Sequence, residues 1–159
     1  MSFLNNEPVQ RVEKYLKNFD PELKIKPLET SARTAKEASI SLKCEVGAIV
    51  KSLLFIVKDK FILCLVSGDK KTSLKKLKKY LNITDVQMAN PDQVKKVTGF
   101  TIGGVSPVGH LNKIEILVDK NLENFHDLFA AAGHPNCVFK ITFKNLVQIT
   151  SGLVLDITE

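Results

Sequence analysis

Thirteen residues from Thr98 to His110 constrain this chain more than any other segment. They read Thr-Gly-Phe-Thr-Ile-Gly-Gly-Val-Ser-Pro-Val-Gly-His and hold Gly99, Gly103, Gly104 and Gly109, four of the protein's eight glycines, beside Pro107. Glycine lets the backbone turn at positive φ and lets a ligand approach the main chain with no Cβ in the way. Proline fixes the exit of such a turn. A loop of this composition offers backbone N–H groups instead of reactive side chains, which suits an anion or a developing oxyanion. Its spacing fits neither the P-loop nor the dinucleotide fingerprint. A plain surface connector has the same composition, and both readings stay open at this point.

The rest of the chain predicts short elements around that loop. Asn6 or Glu7 followed by Pro8 opens a helix with an apolar stripe of Val9, Val12, Leu16 and Phe19, which Asp20-Pro21 ends. Residues 24–28 predict an edge strand, because Pro27 cannot donate to a ladder. Thr34-Ala-Lys-Glu37 has capping-box spacing and predicts a helix over Ala35–Leu42. The apolar runs 48–57 and 61–67 predict a hairpin across 58–60. A lysine-rich helix follows on the stripe Leu74, Leu77 and Leu81, then one from Asn90-Pro91 to Thr98 that Gly99 stops. Beyond the glycine loop, residues 113–118 predict a strand. Residues 122–132 predict a helix that turns Leu122, Phe125, Leu128 and Phe129 inward and ends at Gly133. A turn at 134–136, a strand at 137–143, a turn at 145–150 and a strand at 153–157 complete the chain. Short connections without repeats predict one compact domain over residues 1–159, of α/β (mixed α+β) class, with helices around a mixed sheet.

Lys51 stands out within Ile49-Val50-Lys51-Ser52-Leu53-Leu54-Phe55, because Ile49, Leu53 and Phe55 share its parity. A lysine among buried neighbours either snorkels to water or meets an anion. The segment 70–79 carries six of the 23 basic residues. Its Lys75, Lys76, Lys78 and Lys79 suit a solvated helix face or contact with a phosphate backbone. The net charge of +6 leans toward an acidic partner. Cys44, Cys64 and Cys137 are odd in number and widely spaced, which predicts free thiols in a reducing compartment. No zinc-ligand spacing occurs, and neither a signal peptide nor an apolar run of membrane-spanning length is present. These absences predict a cytoplasmic protein without metal or cofactor.

Three segments in order, Ile49-Val-Lys-Ser-Leu53, Val66-Ser-Gly-Asp69 and Thr98-Gly-Phe-Thr-Ile-Gly-Gly-Val-Ser-Pro107, carry a resemblance. The chain resembles the YbaK/ProX-type aminoacyl-tRNA deacylases, relatives of the editing domain inserted in bacterial prolyl-tRNA synthetases. The resemblance spans residues 30–156, and Ala132-Gly-His-Pro-Asn136 resembles a later active-site loop of some subgroups. It implies a β-barrel-like mixed sheet flanked by helices. It also implies hydrolysis of a mischarged aminoacyl-tRNA, a small amino acid such as alanine on tRNA for proline, by water attack on the ester. On this reading Lys51, Gly103 and Gly104 are catalytic. Ser52, Gly68, Asp69, Val105, Ser106, Pro107, Gly133 and His134 bind substrate. The lysines 75, 76, 78 and 79 hold the tRNA, and a prolyl-tRNA synthetase is a further partner. His134 is expected at the pocket rim, or else as a helix C-terminal cap. A cysteinyl-tRNA deacylase and a non-catalytic aminoacyl-tRNA-binding regulator remain the alternatives, and monomer and dimer are equally open.

Overall fold

A computed structural model describes residues 3–159. Met1 and Ser2, which begin the segment read above for a leader, lie outside the described residues. Helix α1 (Glu7–Phe19) carries Pro8 in its first turn and buries Val9, Val12 and Leu16, as its stripe requires. Strand β1 (Ile25–Pro27) follows, and then helix α2 (Ala35–Leu42). The Thr34 hydroxyl caps α2 by accepting the Glu37 N–H at 3.1 Å.

Strands β2 (Ile49–Val57) and β3 (Lys60–Ser67) form the central antiparallel hairpin, with Val50 opposite Ser67 and Val57 opposite Lys60. Alternate residues of a strand face opposite sides, and here both sides are covered. Val50, Leu54, Leu63 and Leu65 enter the main core. Phe55, Val57, Cys64 and Val66 enter a second core, beneath Leu77 of helix α3 (Leu74–Leu81). This double burial explains why the hairpin is nearly all apolar in sequence.

The remaining elements are β4 (Val86–Met88), α4 (Pro91–Thr98), β5 (Glu115–Asp119), β6 (Leu128–Ala131), β7 (Cys137–Ile141), α5 (Phe143–Thr150) and β8 (Leu153–Leu155). The eight strands make one mixed sheet in the order β1-β7-β6-β2-β3-β5-β8, with β4 also on β2. The pairs β2/β6, β3/β5 and β5/β8 are parallel and the others antiparallel. The mixed α/β class expected from the sequence is what the chain adopts.

Two expected elements are corrected. Residues 122–132 are not a helix: a 3-10 turn (Lys120–Asn124) supplies the spacing of Leu122 and Phe125, and β6 follows. Leu128 and Ala130 are buried while Phe129 and Ala131 are only partly so, a period of two. Pairing on both flanks, parallel to β2 and antiparallel to β7, selects the strand over an intrinsic preference. With no helix ahead of Gly133, the cap alternative for His134 falls as well. Residues 145–150, expected as a turn, belong to α5. Its Thr142 cap accepts the Asn145 N–H at 3.2 Å, and Leu146 is fully buried. No Glu or Gln stands three residues after Thr142 to complete a recognisable capping box.

One feature of the pairing positions the site. Strand β4 pairs with β2 only at Phe55, Ile56 and Val57, and β6 pairs with it only at Ile49 and Val50. Residues 51–54 therefore have no strand neighbour on that edge.

Candidate functional site

A cavity of about 360 Å³ opens at this unpaired edge of β2. Lys51, Ser52 and Leu54 of β2 line it, β6 and β7 contribute Ala130 and Cys137, and the end of β4 contributes Met88. Gly103 and Val105 reach it from the glycine loop, Pro135 from the loop before β7, and Arg33 and Thr34 from the segment entering α2.

Among the described residues lining the cavity, only Arg33 and Lys51 carry charge. The Lys51 ammonium donates to the Lys70 carbonyl at 2.5 Å. Partial burial pushes its pKa below the usual lysine range, and the Asp69 carboxylate acts in the opposite direction. Next to it, the Ser52 hydroxyl is buried with no hydrogen-bond partner among the described residues. A buried hydroxyl normally finds a partner, so Ser52 leaves a polar demand at the cavity wall. The Cys137 thiol is raised in pKa by burial, which keeps it neutral and a poor nucleophile.

The glycine loop is held at both ends by Arg11 of α1. Its Nε donates to the Gly109 carbonyl at 2.5 Å, its Nη2 to the Gly99 carbonyl at 3.2 Å, and its guanidinium lies 4.7 Å from the Phe100 ring centroid. Between these anchors Gly103 sits at φ +94°, open to glycine and strained for other residues. The Gly104 N–H is spent on the Thr101 carbonyl at 2.9 Å. The N–H groups of Gly103 and Val105 bond to no other described residue.

The sequence expectations divide accordingly. Lys51, Ser52, Gly103 and Val105 meet at the cavity. Gly104 lies behind it against the His134 backbone, and Gly133 packs against the backbone of Pro8. Ser106 and Pro107 are buried; the Ser106 hydroxyl accepts the Val108 N–H at 3.1 Å, and its carbonyl meets His110 Nε2 at 2.7 Å. These two residues shape the loop from inside. Gly68 lies where a Cβ would stand 2.8 Å from Ala35 Cβ, and Asp69 accepts from the Ser67 hydroxyl at 3.0 Å.

The His134 ring stacks on Phe3 at 4.2 Å, and its Nδ1 accepts the Asn136 N–H at 3.0 Å. Burial, and then the Arg33 charge, lower its pKa. Pro135, not His134, faces the cavity from that turn. Lys75, Lys76, Lys78 and Lys79 lie on α3, over the second core. Lys76 is committed, with Nζ 3.0 Å from Asp156 Oδ1 and 2.6 Å from the Thr158 carbonyl.

Sequence reasoning missed Arg33, Met88 and Ala130. Only the capping box beside Arg33 was a signal, and a cap does not reveal which way its helix faces. No cluster of three or more metal-ligating side chains occurs among the described residues, and none of their helices is long and apolar enough to cross a membrane.

The sequence profile of the family described as the aminoacyl-tRNA editing domain matches residues 29–149. The chain is 29% identical over 147 residues to YwhH, an uncharacterized protein of Bacillus subtilis (strain 168), covering 92% of this chain and 93% of that protein. It is 35% identical over 107 residues to the proline--tRNA ligase of Thermosipho melanesiensis, which is 66% of this chain and 19% of the ligase. The chain thus spans about a fifth of the length of that ligase. A solved structure, proposed there to be a trans-editing enzyme for prolyl tRNA synthetase, superposes with a TM-score of 0.91 at 37% identity, over 97% of this chain and 98% of that one.

Proposed function

Because the chain belongs to the aminoacyl-tRNA editing domain family, we propose that it is a trans-editing hydrolase that frees a small amino acid, alanine first, from mischarged tRNA for proline. The observation that carries this reading is the convergence of Lys51, Ser52, Gly103 and Val105 on one mainly apolar cavity, the N–H groups of Gly103 and Val105 being unspent. An aminoacyl ester entering it meets a cation, an unpartnered hydroxyl and unspent backbone donors.

The proposed chemistry is direct. Water attacks the ester carbonyl carbon, and the electron pair of the C=O collects on its oxygen. The Gly103 and Val105 N–H groups receive that oxyanion; one such donor is worth on the order of 10²–10³ in rate. The carbonyl re-forms as the bond to the ribose oxygen breaks, and the proton lost by the water ends on that oxygen. The products are free amino acid and tRNA with its terminal hydroxyl restored. Lys51 orients and neutralises the acyl-ribose as a cation, exchanging its bond to the Lys70 carbonyl for one to the substrate. Rotation about χ1 brings the buried Ser52 hydroxyl to the cavity, where it accepts from the α-ammonium of the amino acid. A neutral, buried Cys137 leaves water as the nucleophile.

The test is a panel of alanyl, seryl, cysteinyl and prolyl esters on tRNA for proline. Release of alanine well above the spontaneous rate is expected. Binding of the charged tRNAs without any release would replace the hydrolase with a binding regulator.

A further inference from the structure

We propose that Arg33 is the phosphate-reading residue of the cavity mouth, gripping the phosphodiester that precedes the terminal nucleoside of an RNA 3′ end. This rests on the hydrolase reading above and adds a residue to it. Arg33 is exposed, yet its stem lies over Gly103: a Cβ there would stand 2.7 Å from Arg33 Cγ. The stem thus lies against the loop that frames the reacting carbonyl, while the guanidinium is left in solvent. It makes no ion pair or hydrogen bond with the other described residues. Glu37, the acid of the same helix start, is occupied by the Thr34 hydroxyl at 3.1 Å.

Of the other exposed lip residues, Met88 and Ile102 are apolar and the Thr34 hydroxyl is engaged with Glu37, while Lys51 is assigned to the acyl-ribose inside. A cavity of about 360 Å³ has room for an aminoacyl group and the nucleoside that bears it, not for a second nucleotide. The next phosphate along the strand must then emerge at the mouth, where a charge stays hydrated. A planar guanidinium pairs with two phosphate oxygens at once, which an ammonium cannot do.

The experiment compares wild type, Arg33→Ala and Arg33→Lys on two substrates. One is an alanylated minihelix that ends in CCA; the other is 3′-O-alanyl-adenosine, which has no phosphate. For Arg33→Ala on the minihelix, KM should rise about 10–100-fold with kcat nearly kept, the scale of a lost hydrogen-bonded charge contact. Its log K against log salt should flatten by about 0.7, one phosphate on a single strand. Alanyl-adenosine should be hydrolysed as by wild type, and Arg33→Lys should recover only part of the loss. Equal losses on both substrates would make Arg33 a mere support for Gly103, and no loss on either would also overturn the proposal. Should wild type hydrolyse neither ester, the hydrolase reading fails by itself. Affinity for the trinucleotide CpCpA against adenosine then decides Arg33: a preference for CpCpA that Arg33→Ala abolishes upholds it, and an unchanged preference refutes it.

Discussion

A Cβ on Gly104 would stand 2.9 Å from both the N and the Cα of His134. At Gly104 the glycine loop and the turn before β7 therefore meet backbone to backbone. Rigid backbone on both sides leaves nothing that can yield cheaply.

Gly104→Ala is accordingly expected to cost stability as well as activity. Overpacking of this kind costs about 1–3 kcal/mol, a fall of several degrees in Tm for a chain of this size. Gly103→Ala should cost about 1–2 kcal/mol from its positive φ, since the three atoms nearest its Cβ belong to the Arg33 side chain and not to backbone. Thermal melts of both variants beside alanyl-tRNA hydrolysis check this. A Gly104→Ala protein that melts like wild type would show that the two loops separate freely.

Lys51→Met separates function from folding. Partial burial lowers the Lys51 pKa, so between its folded value and the unfolded value of 10.5 the unfolded chain binds more protons. Stability then rises with pH across that window, and the full cost of the charge is felt below it. The methionine variant should be at least as stable as wild type at pH 7, with its advantage shrinking as pH climbs toward 10.5. Its hydrolysis should fall by about 100-fold or more if the cation meets the acyl-ribose. Near-wild-type turnover in the folded variant would remove Lys51 from the chemistry.

The sequence was legible where local rules act alone. The start of α1 at Pro8, the Thr34 cap of α2 and the Asn90-Pro91 start of α4 all follow from residues within one turn. Lys51 was visible because a lone cation breaks an apolar run. The cavity was hidden because it is the gap between β4 and β6, and neither strand was expected. Leu128-Phe-Ala-Ala131 suits helix or strand equally well, and only the flanking β2 and β7 decide it. His134 shows the converse: a motif match names the turn, yet Pro135 is the member that faces the cavity.

The α3 lysines divide into two kinds. Lys76 ties the helix to Asp156 and Thr158, and its hydrogen bond holds the Asp156 carboxyl below its usual pKa. Lys75, Lys78 and Lys79 are exposed. If tRNA crosses α3, changing those three to Gln should lower the salt slope of binding by about 0.7–0.9 for each phosphate lost. Lys76→Gln should leave the slope unchanged and alter stability little, as expected of a solvent-exposed pair. Titration of binding against salt distinguishes them. Three silent lysines would move the tRNA path off α3.

On the proposed function, selectivity rests on the walls of the cavity. Attraction cannot separate alanine from proline by a large factor, because a methylene is worth only about 1–3 kcal/mol in an apolar pocket. Exclusion can, when the wall is sheet backbone that cannot retreat. Here Ala130 and Ala131 on β6 and Cys137 on β7 line the cavity with small residues on paired strands, and Gly103 and Pro135 reach it from two loops in backbone contact. Alanyl esters should be hydrolysed fastest, 2-aminobutyryl more slowly and prolyl least, all on one tRNA. Ala131→Val narrows the wall at a partly exposed position, where the main core is not disturbed. It should reduce 2-aminobutyryl hydrolysis about tenfold more than alanyl hydrolysis. Fast release of proline by wild type would overturn exclusion, and an unchanged ratio in Ala131→Val would place the amino acid elsewhere in the cavity.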